Sequence, residues 1–118
     1  MFDEPQEDVD FEQEAQAAID GLPAELRDAM SNVSVVIEDE PPPGQSLLGL
    51  YQGIPLTRRG SYYGGVLPDK ITIYRGPLLR LYGGNADVLR ERIRHVVLHE
   101  VAHHFGISDQ RLLDMGAY

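Results

Sequence analysis

The chain has 118 residues, enough for one domain with one modest core and too few for a second lobe. It contains no Cys, so disulfides and thiolate metal sites are excluded, and any metal must be held by His and carboxylates. The net charge of −9 argues against a nucleic-acid surface, and no apolar run is long enough to span a bilayer.

The charge is uneven. Residues 1–40 hold 13 acids and one base, Arg27, for a local charge of −12, whereas residues 41–118 sum to +3. A solvated surface is the ordinary explanation of such an acidic front. The start, Met1-Phe2-Asp3-Glu4-Pro5, lacks the basic and apolar regions of a signal peptide. The expectation is a soluble cytoplasmic protein, monomeric or a small homo-oligomer, that engages neither nucleic acid nor membrane. Residues 1–9 are expected to form a flexible acidic N-terminus, and residues 10–118 a single domain.

The first helix is predicted over 11–20. Asp10 can cap it, Gln13 occupies the capping-box position, and Phe11, Ala15, Ala18 and Ile19 recur at helical spacing. Pro23 suits the first position of a short second helix reaching about Met30. Val33–Glu38 is apolar and β-branched and is predicted as a strand, central in its sheet because the apolar run is almost unbroken. Pro41-Pro42-Pro43-Gly44 stops it, and Leu47–Tyr51 reads as a second, weaker strand. The stretch from Gln52 to Asp69 reads as a long loop or irregular hairpin carrying Arg58, Arg59, Tyr62 and Tyr63. Ile71–Tyr74 is a further strand. Pro77 opens a short helical turn ending near Gly83-Gly84, and Asn85 or Asp87 caps a long helix running to about Phe105.

That last helix carries the chemistry, in His99-Glu100-Val101-Ala102-His103. Successive helical residues turn by about 100°, so His99 and His103 lie about 40° apart, one turn separated, and two imidazoles can reach one zinc ion. Glu100 lies about 100° round from His99, at the flank of the site, where it can hold an attacking water and take its proton. Gly106 follows directly. A left-handed Gly commonly ends a helix and reverses the chain, which would return Asp109 toward the histidines as third ligand. Three protein ligands and an open position define a catalytic zinc site. At average residue frequencies the five fixed positions would coincide in a chain of this length on the order of once in 10⁵.

The run His99-Glu100-Val101-Ala102-His103-His104-Phe105-Gly106-Ile107-Ser108-Asp109 resembles the extended motif of zincin metallopeptidases, in the variant where Asp replaces the third His of the metzincin pattern. The order of helix, strand, strand and active-site helix is similar to that of small single-domain bacterial zincin-like proteins. The resemblance implies an α+β fold, a minimal zincin-like domain with a small twisted sheet, a long active-site helix and a short C-terminal helix. It implies one zinc ion on His99, His103 and Asp109, and a catalytic Glu100 acting on a peptide or protein substrate. Metzincins also have a Met-containing turn beneath the metal. Here only nine residues follow Asp109, and Met115 is the Met among them.

The neighbouring residues divide between support and scaffold. Gly106, Met115, Tyr118 and His95 are candidate supporting residues: Gly106 for the reversal, Met115 or Tyr118 packed beside the ligands, with a frayed terminus and an exposed Tyr118 as the alternative, and His95 as a cleft or supporting residue one turn before His99, with an ordinary half-exposed His as the plainer reading. His104 lies about 140° from His99 and is expected to face away from the metal as a structural residue. A substrate strand is expected to pair with the edge near Leu48–Gln52. The leading expectation is a zinc-dependent metallopeptidase. Its rivals are a non-catalytic zincin-like interaction module and a zinc hydrolase for a non-peptide amide.

Overall fold

The computed structural model describes residues 9–30, 32–53 and 69–114. The expected flexible terminus, apart from Val9, the long loop carrying Arg58, Arg59, Tyr62 and Tyr63, and the supporting candidates Met115 and Tyr118 lie outside the described residues. Helix α1 spans Phe11–Asp20, α2 Ala24–Ala29, strand β1 Val33–Glu38, β2 Gly49–Gln52, β3 Asp69–Tyr74, α3 Arg75–Tyr82, α4 Ala86–His104 and α5 Asp109–Asp114. The fold is α+β, with a small three-stranded sheet, a long helix and a short C-terminal helix.

The helices begin where local chemistry can satisfy their free N–H groups. Asp10 accepts from the Gln13 N–H at 3.0 Å and starts α1. Of the two caps considered for α4, Asn85 serves: its side chain accepts from Asp87 N–H at 3.0 Å and Val88 N–H at 3.2 Å. Asp87 falls instead in the first turn, where its charge suits the helix dipole.

The sheet order is β1-β3-β2, with β1 parallel and β2 antiparallel to β3. The expectation that Val33–Glu38 is central is therefore corrected, because among the described residues the strand has one neighbour, and it is only partly buried. The central place goes to β3, whose residues are buried except Lys70. Apolar density in β1 reflects the helix that covers it. Helices α1 and α4 pack against each other and against the sheet, α1 on β1 and α4 on β2 and β3.

The core joins Phe11, Ala15 and Ala18 of α1 to Ile71 and Ile73 of β3, Leu78 of α3, and Leu89, Ile93, Val96, Val97 and Val101 of α4. Each large aliphatic buried there contributes about 1.5–3 kcal/mol of transfer free energy. Val9, grouped by sequence with the flexible terminus, is half-buried and packs against this core. Arg94 of α4 meets Glu14 of α1 at 2.8 Å, adding a polar tie across the helix pair. One face of α4 is thus fixed by the core, with Glu100 within its angular range and His99 and His103 on the adjoining flank.

Candidate metal centre

Helix α4 ends as the sequence predicts. Gly106 has φ 85°, its N–H donates to His103 O at 2.9 Å, and Ile107 N–H donates to Ala102 O at 2.9 Å. This pair of bonds is the Schellman pattern, which needs a residue free of Cβ strain in the left-handed region. The chain reverses, Ser108 Oγ accepts from Arg111 N–H at 3.1 Å, and Asp109 opens α5.

The reversal brings Asp109 to the histidines. Its Oδ1 lies 3.1 Å from His99 Nε2 and 2.9 Å from His103 Nε2. The two imidazoles are edge-on, with ring centroids 4.9 Å apart. On its other side His103 Nδ1 is 2.9 Å from the Ile107 carbonyl, so this ring donates there with Nδ1 and presents Nε2 toward Asp109. The Ile107 carbonyl that orients His103 belongs to the same turn that delivers Asp109.

Glu100 stands on the flank, 7 % exposed. Donor atoms of His99, Glu100 and His103 all lie within 4.8 Å of one another. Two donor sets therefore share the histidines, one completed by Glu100 and one by Asp109. They differ in environment. Asp109 is more than half exposed and meets both Nε2 atoms. Glu100 is enclosed, and burial raises its pKa above that of an ordinary Glu; His103 opposes the rise, the Asp109 charge adds to it, and a hydrogen bond from the Tyr51 main-chain N–H opposes it. His99 is shifted the other way. Burial lowers its pKa, with His103 and His95 adding to the lowering and Asp109 opposing it, so the neutral, metal-ready imidazole is favoured.

The contact between Tyr51 and Glu100 depends on how closely β2 lies on α4. A Cβ built on Gly49 would come 2.6 Å from Val96 Cγ1 and 3.4 Å from Glu100 Cγ, so the strand reaches the helix only because position 49 has no side chain. Tyr74 N–H donates to Leu48 O at 3.0 Å, which turns the main-chain groups of Leu48 toward β3. By the alternation of an antiparallel ladder, those of Gly49 and Tyr51 turn to the other edge. Between that edge and α4 lies a cleft of about 550 Å³, lined by Ser46–Leu50 on the strand side and by Arg92, His95, Val96, His99, Glu100 and His103 on the helix, with Asp109 at one end. The size is that of a small-ligand or peptide site. The strand edge expected near Leu48–Gln52 borders it, and His95, exposed, is a cleft residue.

The chain matches the zincin-like metallopeptidase family over residues 30–117. It belongs to that family. A solved structure, a conserved hypothetical protein of Thermo thermophilus, is similar at 27 % identity and TM-score 0.56, over 81 % of this chain and 91 % of that one. No curated protein matches. For a zincin-like chain the family implies zinc binding, and the His99–Glu100–His103 cluster is where such a site would form.

His104, the neighbour of His103, does face away from the site. It is 1 % exposed, and its Nδ1 lies 2.9 Å from Asp69 Oδ2, an oxygen that also accepts from Tyr51 Oη–H at 2.6 Å. His104 Nε2 faces the Ala29 carbonyl at 3.4 Å. This buried network joins the last turn of α4 to β2 and β3 and belongs to the scaffold. Sequence reasoning identified none of its partners, nor the main-chain donor of Tyr51. Arg92 was also missed, although its place seven residues before His99 puts it on the motif's own face.

Proposed function

We propose that this zincin-like domain is a zinc-dependent metallopeptidase in which His99, His103 and Asp109 hold one zinc ion and Glu100 is the general base. The observation that carries the reading is the convergence of Asp109 Oδ1 on both Nε2 atoms, at 3.1 and 2.9 Å. Two nitrogens and a carboxylate oxygen, without thiolate, suit zinc, and three protein donors leave a position for substrate. Asp109 is favoured over Glu100 as the third donor because it touches both imidazoles, while the Glu100 carboxylate accepts a hydrogen bond from the Tyr51 N–H.

When bound, the zinc ion supplies Lewis acidity toward the scissile carbonyl and toward water. The chain's own residues do the rest. Glu100 takes a proton from the attacking water and returns it to the leaving amine. In the metal-free chain burial raises its pKa, and a zinc ion beside it would oppose that rise, keeping the carboxylate available as the base of the first step. The Tyr51 N–H fixes the orientation of the carboxylate. The cleft edge of β2 offers main-chain groups to an extended peptide, and the apolar side chains of Leu47, Leu48 and Val96 exclude water around it.

Zinc titration of the full chain by calorimetry tests the ligand set. One zinc ion per chain is expected, with affinity reduced at least tenfold by Asp109→Ala and more by His99→Ala or His103→Ala. Unchanged affinity in Asp109→Ala would remove Asp109 from the set and return Glu100 to consideration as a ligand.

A further inference from the structure

The cleft is electrically lopsided. Glu100 and Asp109 stand at one end, and Arg92 and His95 at the other. Arg92 precedes His99 by seven residues, so the two lie within about 20° on one face of α4 and about 10.5 Å apart along its axis. An extended peptide advances about 3.3 Å per residue. Arg92 therefore stands opposite roughly the third residue from the bond being broken.

Arg92 differs from the paired arginines of the fold, and from Arg27 and Arg111, which also lack a carboxylate partner among the described residues, in lining the cleft. Arg75 pairs with Asp39, Arg80 with Glu40, Arg90 with Asp87, and Arg94 with Glu14. Among the described residues no carboxylate pairs with Arg92. Its guanidinium lies instead over the Tyr82 ring, 5.2 Å from the centroid. That contact holds a planar cation at the rim of the cleft without neutralising it. His95 lies between Arg92 and His99 along the helix, and its field reaches His99. The chain as a whole is acidic, at −9, so long-range attraction does not draw an acidic peptide to it. A preference for one must be local, and one substitution should remove it.

We propose that Arg92 is a specificity-determining residue that receives a carboxylate of the substrate about three residues from the scissile bond. The inference rests on the peptidase reading above. The carboxylate can be an acidic side chain or a free C-terminus, since a guanidinium fork accepts either.

The test uses fluorescent peptides bearing a zinc-binding hydroxamate at either end, with Glu or Gln as third residue and a free or amidated C-terminus. Binding to the zinc-loaded full chain is read by anisotropy. In at least one orientation, the peptide carrying the carboxylate should bind about three- to tenfold more tightly at low salt, with the advantage fading at about 0.5 M NaCl. The Glu and free-acid arms show which source of carboxylate is preferred. Arg92→Gln should abolish the preference and Arg92→Glu should invert it, with neutral peptides bound as before. Equal binding of charged and neutral peptides, or a preference surviving in Arg92→Glu, overturns the inference while leaving the peptidase reading in place. If no hydroxamate peptide binds the zinc-loaded chain, the peptidase reading fails and this inference fails with it.

Discussion

His103 Nε2 stands 2.9 Å from Asp109 Oδ1, across a chain reversal made by Gly106. In the metal-free chain this is a partly exposed contact, worth at most about 1 kcal/mol. On the proposed ligand set its importance is for an ion placed among the donors. Asp109→Asn should therefore shift the metal-free melting temperature by little, yet lower zinc affinity at least tenfold. A large loss of metal-free stability would show that the carboxylate serves the scaffold.

Gly106 and Gly49 place the site from a distance. Ala at position 106 must adopt φ near 85°, a left-handed conformation that costs about 1–2 kcal/mol. The turn should respond by shifting Asp109, so Gly106→Ala should lose both stability and zinc affinity. Gly49→Ala should cost about 1–3 kcal/mol by pressing β2 away from Val96. It should also impair turnover more than zinc binding, because Glu100 loses its Tyr51 donor while the ligands keep their places. Thermal melts with zinc titrations on both variants separate the two effects.

His103 and His104 are neighbours in sequence with different surroundings, and the proposed reading gives them different tasks. His103→Ala should abolish zinc binding with only a small change in metal-free stability. His104→Ala takes the imidazole from buried Asp69, which keeps the Tyr51 hydroxyl, and should cost about 1–3 kcal/mol for the interior hydrogen bond lost. The fraction that remains folded should still bind zinc. Chemical denaturation beside calorimetry reads both, and equal zinc losses in the two variants would contradict the division of labour.

Glu100 gives a pH prediction. Burial raises its pKa in the fold above the unfolded value, so between the two values the folded chain binds more protons than the unfolded one. Its contribution to stability is thus complete at pH below about 4.5 and is lost as pH rises through the folded pKa. Glu100→Gln has no such loss. The metal-free variant should melt higher than the metal-free parent at pH 7–8, and the gap should close toward pH 4. A gap that is absent, or that widens on acidification, would mean the carboxylate is not desolvated.

Much of this was legible along the chain because it is local. The HExxH spacing, the Asp10 and Asn85 caps, the left-handed Gly106 and the return of Asp109 all depend on residues within a turn or two of one another. The sheet order was not. β1 has the apolar run of a central strand, but β3 takes that place, because pairing is settled between segments some thirty residues apart. The link from His104 to Asp69 spans 35 residues, and the Tyr51 N–H on Glu100 is a main-chain donor that no side-chain pattern announces. Arg92 was within reach of helical periodicity, but what makes it informative is that it lines the cleft over the Tyr82 ring with no acid among the described residues paired to it, which only the fold reveals.

On the proposed reading Glu100, beside zinc, drives hydrolysis of peptides. The most direct measurement is mass-spectrometric detection of new peptide termini when a diverse peptide library is incubated with zinc-loaded parent and zinc-loaded Glu100→Gln. Cleavage by the parent, with turnover reduced at least a hundredfold in the variant at equal zinc content, is the predicted result. Equal turnover by the two proteins, or no cleavage by a parent that holds its full zinc, would contradict it.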